Sequence, residues 1–188
     1  MREAVTVHLA EGFEEIEAVS IIDVLRRAGI ETIIVSVTGK KEVTGSHNIS
    51  ITADSLFEEM DYNQVKMIVL PGGMPGAKHL KEHAALGKQI IDFNNEGKPL
   101  GAICAAPMVL GNLGILSNKK ATCFPGFEDE LKGAEVTGET VEVAGNIITG
   151  KGAGVAIPFA LNIVKMLKGK QEADTLAEKM IWPGTVNA

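Results

Sequence analysis

The chain has few cysteines, few aromatic residues and no excess of positive charge. Among its 188 residues are two cysteines, one tryptophan and one tyrosine, and the formal net charge is -6. Two cysteines are too few for a disulfide framework and favour a reducing compartment. An acidic chain without a basic face or an aromatic stacking platform is poorly suited to nucleic acid or anionic membranes. We therefore expect neither as a partner.

The chain also lacks a long apolar run. Nowhere do about 18 apolar residues follow one another, which a membrane-spanning helix needs. The start, MREAVTVHLAEG, has no long apolar stretch with a small-residue cleavage site. We expect a cytoplasmic protein whose residues 1–188 form one domain, since 45% apolar residues at this length suffice for a full core.

Apolar runs typical of buried strands alternate with longer segments of helical period. This alternation predicts a three-layer α/β sandwich with a mainly parallel, doubly wound sheet. The predicted strands are Ala4–Ala10, Thr32–Val37, Lys66–Leu70, Pro99–Ile103 and Asn146–Thr149. The predicted helices are Glu14–Ala28, Ala84–Asn95, Ala105 to about Leu113, Val155–Leu167 and Glu172–Met180. Alternating polar and apolar residues at Glu42–Ile51 and Ala134–Ala144 indicate hairpins or short edge strands.

The sequence GAICAAP, residues 101–107, places Cys104 where a predicted strand meets a predicted helix. A nucleophile elbow needs small residues two before and two after the nucleophile, and Ala102 and Ala106 meet that need. The positive end of a helix dipole stabilises a thiolate, so we expect a lowered pKa and a reactive thiol at Cys104. The alternative is a buried cysteine that acts as a small apolar residue.

The sequence VLPGGMPG, residues 69–76, carries a buried strand directly into Gly72 and Gly73. Glycines at the carboxyl end of a strand let backbone amides approach a ligand. The amides of Gly73 and Ala105 are thus candidates for an oxyanion hole beside Cys104. A plain glycine turn is the alternative.

The third candidate is Glu17 in the sequence AEGFEEIEAVS, residues 10–20. Its spacing to Ile21 and Val24 places it on the apolar face of the first helix, where burial raises a carboxyl pKa and lets the group donate a hydrogen bond. Acidic residues in a first turn also complement the helix dipole, which is the simpler explanation.

Three other features of the sequence give weaker evidence for a functional site. The sequence HLKEH, from His79 to His83, matches an inverted zinc-protease pattern, but a helix break between Leu80 and Ala84 argues against a metal site. The sequence GKGAG, residues 150–154, lacks the ending of a phosphate-binding loop. Strand alternation points Cys123 away from the pocket, so we do not expect a disulfide to Cys104.

Four ordered motifs resemble those of the ThiJ/PfpI family: AEGFEEIEAV followed by DVLRRAGI, VLPGGMPGA, GAICAAP, and ITGKGAG followed by FALNIVKML. That family includes the human parkinsonism-associated protein deglycase and has a flavodoxin-like, class I glutamine amidotransferase-like fold. The resemblance implies that Cys104 is the nucleophile, that Glu17 contacts it in protonated form, and that the amides of Gly73 and Ala105 surround it. It also implies a homodimer.

The chain departs from the family where a partner histidine is expected. The deglycase branch has a His-Pro pair where this chain has Phe124 and Pro125, and the peptidase branch has a histidine where this chain has Ala105. Peptide hydrolysis then lacks a proton donor for its leaving amine, so peptidase activity is expected to be weak or absent. His47 and Lys151 stand where relatives often have arginine.

We place Gly72, Phe124, His47 and Lys151 in the substrate pocket. The activity favoured by the resemblance is glyoxalase or deglycase chemistry on small α-oxoaldehydes or their protein adducts, without metal or cofactor. The alternative is a non-enzymatic redox sensor, oxidised at the cysteine, or a stress-response chaperone.

Overall fold

The computed structural model describes residues 4–184. Its strands are β1 Ala4–Leu9, β2 Thr32–Ser36, β3 Glu42–Thr44, β4 Ser50–Thr52, β5 Ser55–Leu56, β6 Val65–Leu70, β7 Leu100–Ile103, β8 Lys120–Ala121, β9 Glu135–Val136, β10 Val141–Ala144 and β11 Ile147–Gly150. Its α-helices are α1 Glu15–Arg27, α2 Gly76–Glu82, α3 Ala84–Asn95, α4 Pro107–Asn112, α5 Ala156–Lys168 and α6 Lys170–Lys179.

Seven strands form the central sheet, in the order β10-β11-β7-β6-β1-β2-β5. Neighbours pair in parallel except β10 and β11, which are antiparallel. The chain adds β2 on one side of β1 and β6 on the other, so the order reverses at β1. Ligand sites of such sheets lie beyond the carboxyl ends of the strands at this reversal. This is the predicted α/β class.

Helices cover both faces of the sheet. On one face α1 packs against α5 and α5 against α6, and on the other α2 packs against α3 and α4. Two apolar cores result, one containing Leu25 and Phe159 and the other Ile90 and Phe93. Because both faces are covered, every residue of β1 is buried, including the polar Thr6 and His8. None of the described helices is long and apolar enough to cross a membrane.

The predicted central strands and helices lie within two residues of their observed bounds. Of the two segments predicted to be hairpins or short edge strands, Glu42–Ile51 forms the β3–β4 hairpin, whereas residues 134–144 form two short strands that do not pair with each other. Instead β9 pairs in parallel with β8, and β10 pairs with β11 through a tight turn in which Gly145 has a φ of 64°. The predicted helix from Ala105 begins at Pro107, because residues 104–106 form the preceding turn. The last helix begins at Lys170, immediately after Gly169.

Candidate active site

Cys104 lies in a strained turn at the carboxyl end of β7. Its φ is 63°, a left-handed conformation that costs a non-glycine residue on the order of 1–3 kcal/mol. The turn is held by the Cys104 amide, which donates to the Gly150 carbonyl at 2.8 Å, and by the Cys104 carbonyl, which accepts from the Phe124 amide at 2.8 Å. Ala102 and Ala106 are fully buried, so larger residues have no room there. The side chain is thus presented as the elbow pattern predicts.

Gly72 leaves the space in which Cys104 and Glu17 meet. A Cβ atom at Gly72 would lie 2.6 Å from the Cys104 Cβ and 2.9 Å from Glu17 Oε2. Any side chain here would therefore force the two functional groups to move. The Gly72 amide also donates to Glu17 Oε2 at 2.7 Å.

Glu17 is fully buried, although it lies in the first turn of α1. Its Oε2 accepts the Gly72 hydrogen bond, whereas its Oε1 is buried with no hydrogen-bond partner. Burial raises the Glu17 pKa from its usual 4.5 to about 7, against the lowering effect of the Gly72 amide and the Cys104 thiol. An acidic proton on Oε1 would be free to pass to a neighbouring group.

The pKa of Cys104 shifts opposite to the sequence prediction. Burial and the Glu17 carboxylate raise it to about 12, although the amides of Gly73 and Ala105 act to lower it. The prediction allowed for the helix end but not for desolvation, and α4, which follows this turn, has only six residues. The two acids titrate together, so above about pH 7 the pair holds a single negative charge, which lies on the Glu17 carboxylate.

The two predicted oxyanion amides both act on the sulfur. Gly73 and Ala105 hydrogen bond to Cys104 through their backbone N–H groups. Gly73 has a φ of 87°, and a Cβ atom there would lie 2.4 Å from the Glu14 amide nitrogen and 2.6 Å from the Phe13 carbonyl carbon. Only glycine fits this close backbone crossing. The arrangement holds two N–H donors where negative charge would develop on sulfur or on an attached oxygen.

Phe124 lies next to the nucleophile through its backbone, and its side chain is 47% exposed. Cys123 is 3% exposed, but it lies after β8 among three consecutive buried residues, so strand alternation does not account for its burial; both cysteines are free thiols. Lys151 donates from Nζ to the Gly138 carbonyl at 2.8 Å. The predicted pocket residue Lys151 is therefore engaged by a backbone carbonyl, and its charge acts to lower the pKa of the Cys123 thiol.

His47 is held by Glu15, a residue that the sequence analysis did not single out. Glu15 accepts from the His47 amide at 2.6 Å and pairs with His47 Nδ1 at 2.8 Å. These bonds lower the pKa of Glu15 to about 2, while burial opposes them, and they raise the pKa of His47. Glu15 thus fixes the β3–β4 hairpin on α1. Two adjacent glutamates at a helix start gave no signal that one of them is buried.

The groups that could hold a metal do not form a convincing site. Among the described residues, Glu14, Glu15 and His47 bring ligand atoms within 4.8 Å of one another, but the Glu15 carboxylate already accepts the hairpin hydrogen bonds. His83 ends α2, and its Nδ1 accepts from the Leu86 amide. In a neutral ring that bond places the proton on Nε2, which blocks metal binding there. We assign no metal to either group.

The geometry defines a class: a flavodoxin-like protein with a cysteine elbow, a buried glutamic acid beside it and two backbone donors. The family comparison is consistent with this class, because a model of the DJ-1/PfpI family matches residues 3–166. The chain belongs to the DJ-1/PfpI family.

Several relatives are similar over most of this chain. Protein DJ-1 homologs B and A of Arabidopsis thaliana are 37% and 35% identical over 90% and 94% of the chain, which spans only 39% and 46% of their lengths. Protein dj-1beta of Drosophila melanogaster is 34% identical over 96% of this chain and 98% of its own. The structure of oxidised Toxoplasma gondii DJ-1 superposes with a TM-score of 0.92 at 37% identity, covering 96% of this chain and 99% of that one. A Pyrococcus abyssi protein named as a deglycase is 31% identical over 85% of this chain and 96% of its own.

Proposed function

We propose that this protein converts small α-oxoaldehydes, or their adducts on proteins, by cofactor-free glyoxalase or deglycase chemistry at Cys104. The observation that carries the proposal is the meeting of the Cys104 thiol, the buried Glu17 carboxyl group and the amides of Gly73 and Ala105. The name of the Pyrococcus abyssi relative supports the same chemistry.

The reaction begins with a proton transfer within the pair. Glu17 takes the thiol proton, the sulfur forms a bond to the aldehyde carbon, and the carbonyl electron pair moves to oxygen beside the two amides. Glu17 then returns its proton to that oxygen, which gives a neutral hemithioacetal. The first half-reaction thus balances without any other acid or base.

The second half moves hydrogen between the two substrate carbons. Glu17 removes the proton from the former aldehyde carbon, and the hydroxyl proton on that carbon passes to the ketone oxygen, which gives an enediolate. Glu17 then returns its proton to the neighbouring carbon while the enediolate oxygen becomes a carbonyl, so that one carbon is oxidised to a thioester and the other is reduced to an alcohol. Water adds to the thioester, the sulfur–carbon bond breaks, and the sulfur leaves with a proton. The product is a 2-hydroxy acid, and the overall reaction consumes one water.

The test is turnover of methylglyoxal to lactate, followed by proton NMR, for wild type and Cys104→Ala. We expect turnover in wild type and none above the uncatalysed rate in Cys104→Ala. Equal rates near zero in both proteins would contradict the proposal. Far-UV circular dichroism of both proteins controls for folding.

A non-enzymatic redox sensor is the second candidate. The observation that favours it is that Glu17 is the one ionisable side chain that perturbs Cys104 among the described residues, so no histidine base assists turnover. A sensor needs only oxidation of sulfur by a peroxide, which transfers one oxygen to sulfur and releases water. If wild type does not turn over methylglyoxal, sulfenic or sulfinic acid at Cys104 after peroxide treatment would support this alternative.

We also propose a homodimer in a reducing, cytoplasmic compartment. Ile16 and Val19 on α1 are 59% and 49% exposed, and Ile49 on the adjacent hairpin is 56% exposed. Three exposed apolar side chains on neighbouring elements favour a protein interface. Two free thiols support the compartment. Sedimentation at micromolar concentration would reveal a monomer if the interface is wrong.

A further inference from the structure

Two half-exposed apolar residues are next to the backbone segments that contact the nucleophile. Met74 and Phe124 are each 47% exposed. Met74 directly follows Gly73, whose amide contacts the Cys104 sulfur, and the Phe124 amide donates to the Cys104 carbonyl.

The Phe124 ring is fixed by more than its backbone. A Cβ atom on Gly152 would lie 3.3 Å from Phe124 Cδ2, so the ring packs over the bare backbone of the loop after β11. That loop begins directly after Gly150, whose carbonyl accepts from the Cys104 amide. The ring is therefore held beside the elbow by two separate contacts.

Met74 is fixed from the other side. The Gly73 backbone crosses Phe13 and Glu14 so closely that a Cβ atom there would lie 2.6 Å from Phe13 and 2.4 Å from Glu14. The next residue, Met74, thus starts from a backbone that cannot shift. Its flexible thioether side chain adapts to apolar and aromatic groups, with favourable sulfur–ring contacts.

The basic side chains predicted for the pocket are engaged elsewhere. Lys151 Nζ donates to the Gly138 carbonyl, and His47 pairs with Glu15. A charged substituent would find neither of them free, whereas an apolar substituent would find Met74 and Phe124.

We infer that the site selects α-oxoaldehydes that carry an aromatic or other bulky apolar substituent, with Met74 and Phe124 as the specificity-determining residues. The inference rests on the proposed function, since it names the substrate class of that same site. Burial of a ring against Phe124 is expected to favour phenylglyoxal over methylglyoxal by about tenfold in kcat/KM, the scale of one aromatic contact or one pocket methylene.

The experiment has a turnover arm and a labelling arm. Turnover compares phenylglyoxal with methylglyoxal, with mandelate and lactate measured by NMR. Labelling compares 2-chloroacetophenone with chloroacetone, and mass spectrometry measures the rate at Cys104. In labelling the sulfur forms a bond to carbon and chloride leaves, so no further catalytic step is required. Each labelling ratio is divided by the ratio for free N-acetylcysteine.

We expect wild type to favour the aryl compound about tenfold in both arms. Phe124→Ala should bring the ratio to within about twofold of the free thiol, Phe124→Leu should retain part of it, and Met74→Ala should lower it less. Ile91→Ala, which removes a 38% exposed side chain on α3, is the matched control and should leave the ratio unchanged.

The two arms separate the two proposals. If turnover is absent but Cys104 still favours the aryl chloroketone and Phe124→Ala abolishes this preference, the proposed function fails. The inferred selectivity of Met74 and Phe124 then still holds. If wild type labels with the ratio of the free thiol, or Phe124→Ala keeps the wild-type ratio, the inference is overturned even when methylglyoxal is turned over.

Discussion

Replacing Glu17 by glutamine removes a buried acid whose raised pKa the proposed chemistry uses. In the folded protein Glu17 holds its proton up to about pH 7, whereas in the unfolded chain the same group loses it near 4.5. The folded state therefore gains stability from Glu17 below pH 4.5, and this contribution is lost as pH rises to about 7. Glutamine keeps the size of the side chain and cannot ionise.

The expected size follows from the pKa difference. A change from 4.5 to about 7 corresponds to about 3 kcal/mol of unfolding free energy. The unfolding free energy of Glu17→Gln minus the unfolding free energy of wild type should thus rise by about 3 kcal/mol between pH 4 and pH 8. The sign is fixed, because an ionised Glu17 is the species that burial disfavours.

His8 acts in the opposite direction in the same range. It is fully buried in β1, and burial lowers its pKa from 6.5 to about 3, so protonation of the unfolded chain opposes folding as pH falls below 6.5. Between pH 4.5 and 6.5 the two groups offset each other in wild type. The stability of Glu17→Gln should rise with pH across this interval, where the contributions of these two groups to wild type cancel.

Urea denaturation followed by far-UV circular dichroism, at half-unit pH steps and one fixed protein concentration, measures the difference. Glu178→Gln, at an exposed position of α6, is the matched control for loss of one carboxylate. A difference for Glu17→Gln that stays level from pH 4 to pH 8 would refute the buried-acid account.

Two further predictions concern the nucleophile. The rate of Cys104 labelling by iodoacetamide should rise with a midpoint well above that of a free thiol, because burial and the Glu17 carboxylate raise the pKa of Cys104, and the midpoint should fall in Glu17→Gln, which removes the carboxylate charge; an unchanged midpoint would show that Glu17 does not act on the thiol. Gly72→Ala should reduce methylglyoxal turnover by about a hundredfold, since its Cβ displaces Cys104 and Glu17. Gly154→Ala has open space around its Cβ and should stay within about twofold of wild type.

The elements that the sequence predicts best are those whose apolar pattern is long. The central strands and α1, α3 and α5 meet this condition. The strand β9 does not, since it has only two residues and both are exposed. Helix α2 begins at the last residue of Gly-Gly-Met-Pro-Gly, a run of turn residues in which a helix start is not evident.

The site shows the same division. Small residues at fixed offsets predict where Cys104 lies, and helical period predicts that Glu17 points inward, because both follow from local geometry. The pKa of Cys104 depends on how deeply the assembled protein buries it and on the charge of Glu17, which no local pattern contains. Glu15 is hidden for a similar reason, because its hydrogen-bond partners are residues 46–49, some thirty positions away.

The close backbone crossing at Gly72 and Gly73 also limits how this site can evolve. Around the sulfur, main-chain atoms of residues 13, 14 and 103 occupy the space that side chains would need. Gly72 and Gly73 therefore tolerate almost no side chain, which restricts the substitutions that could alter the reaction itself. Residues 74 and 124 are half exposed, so they can be substituted without disturbing this backbone crossing. Evolution can therefore change the substrate at these two positions and keep Cys104, Glu17 and their proton transfer.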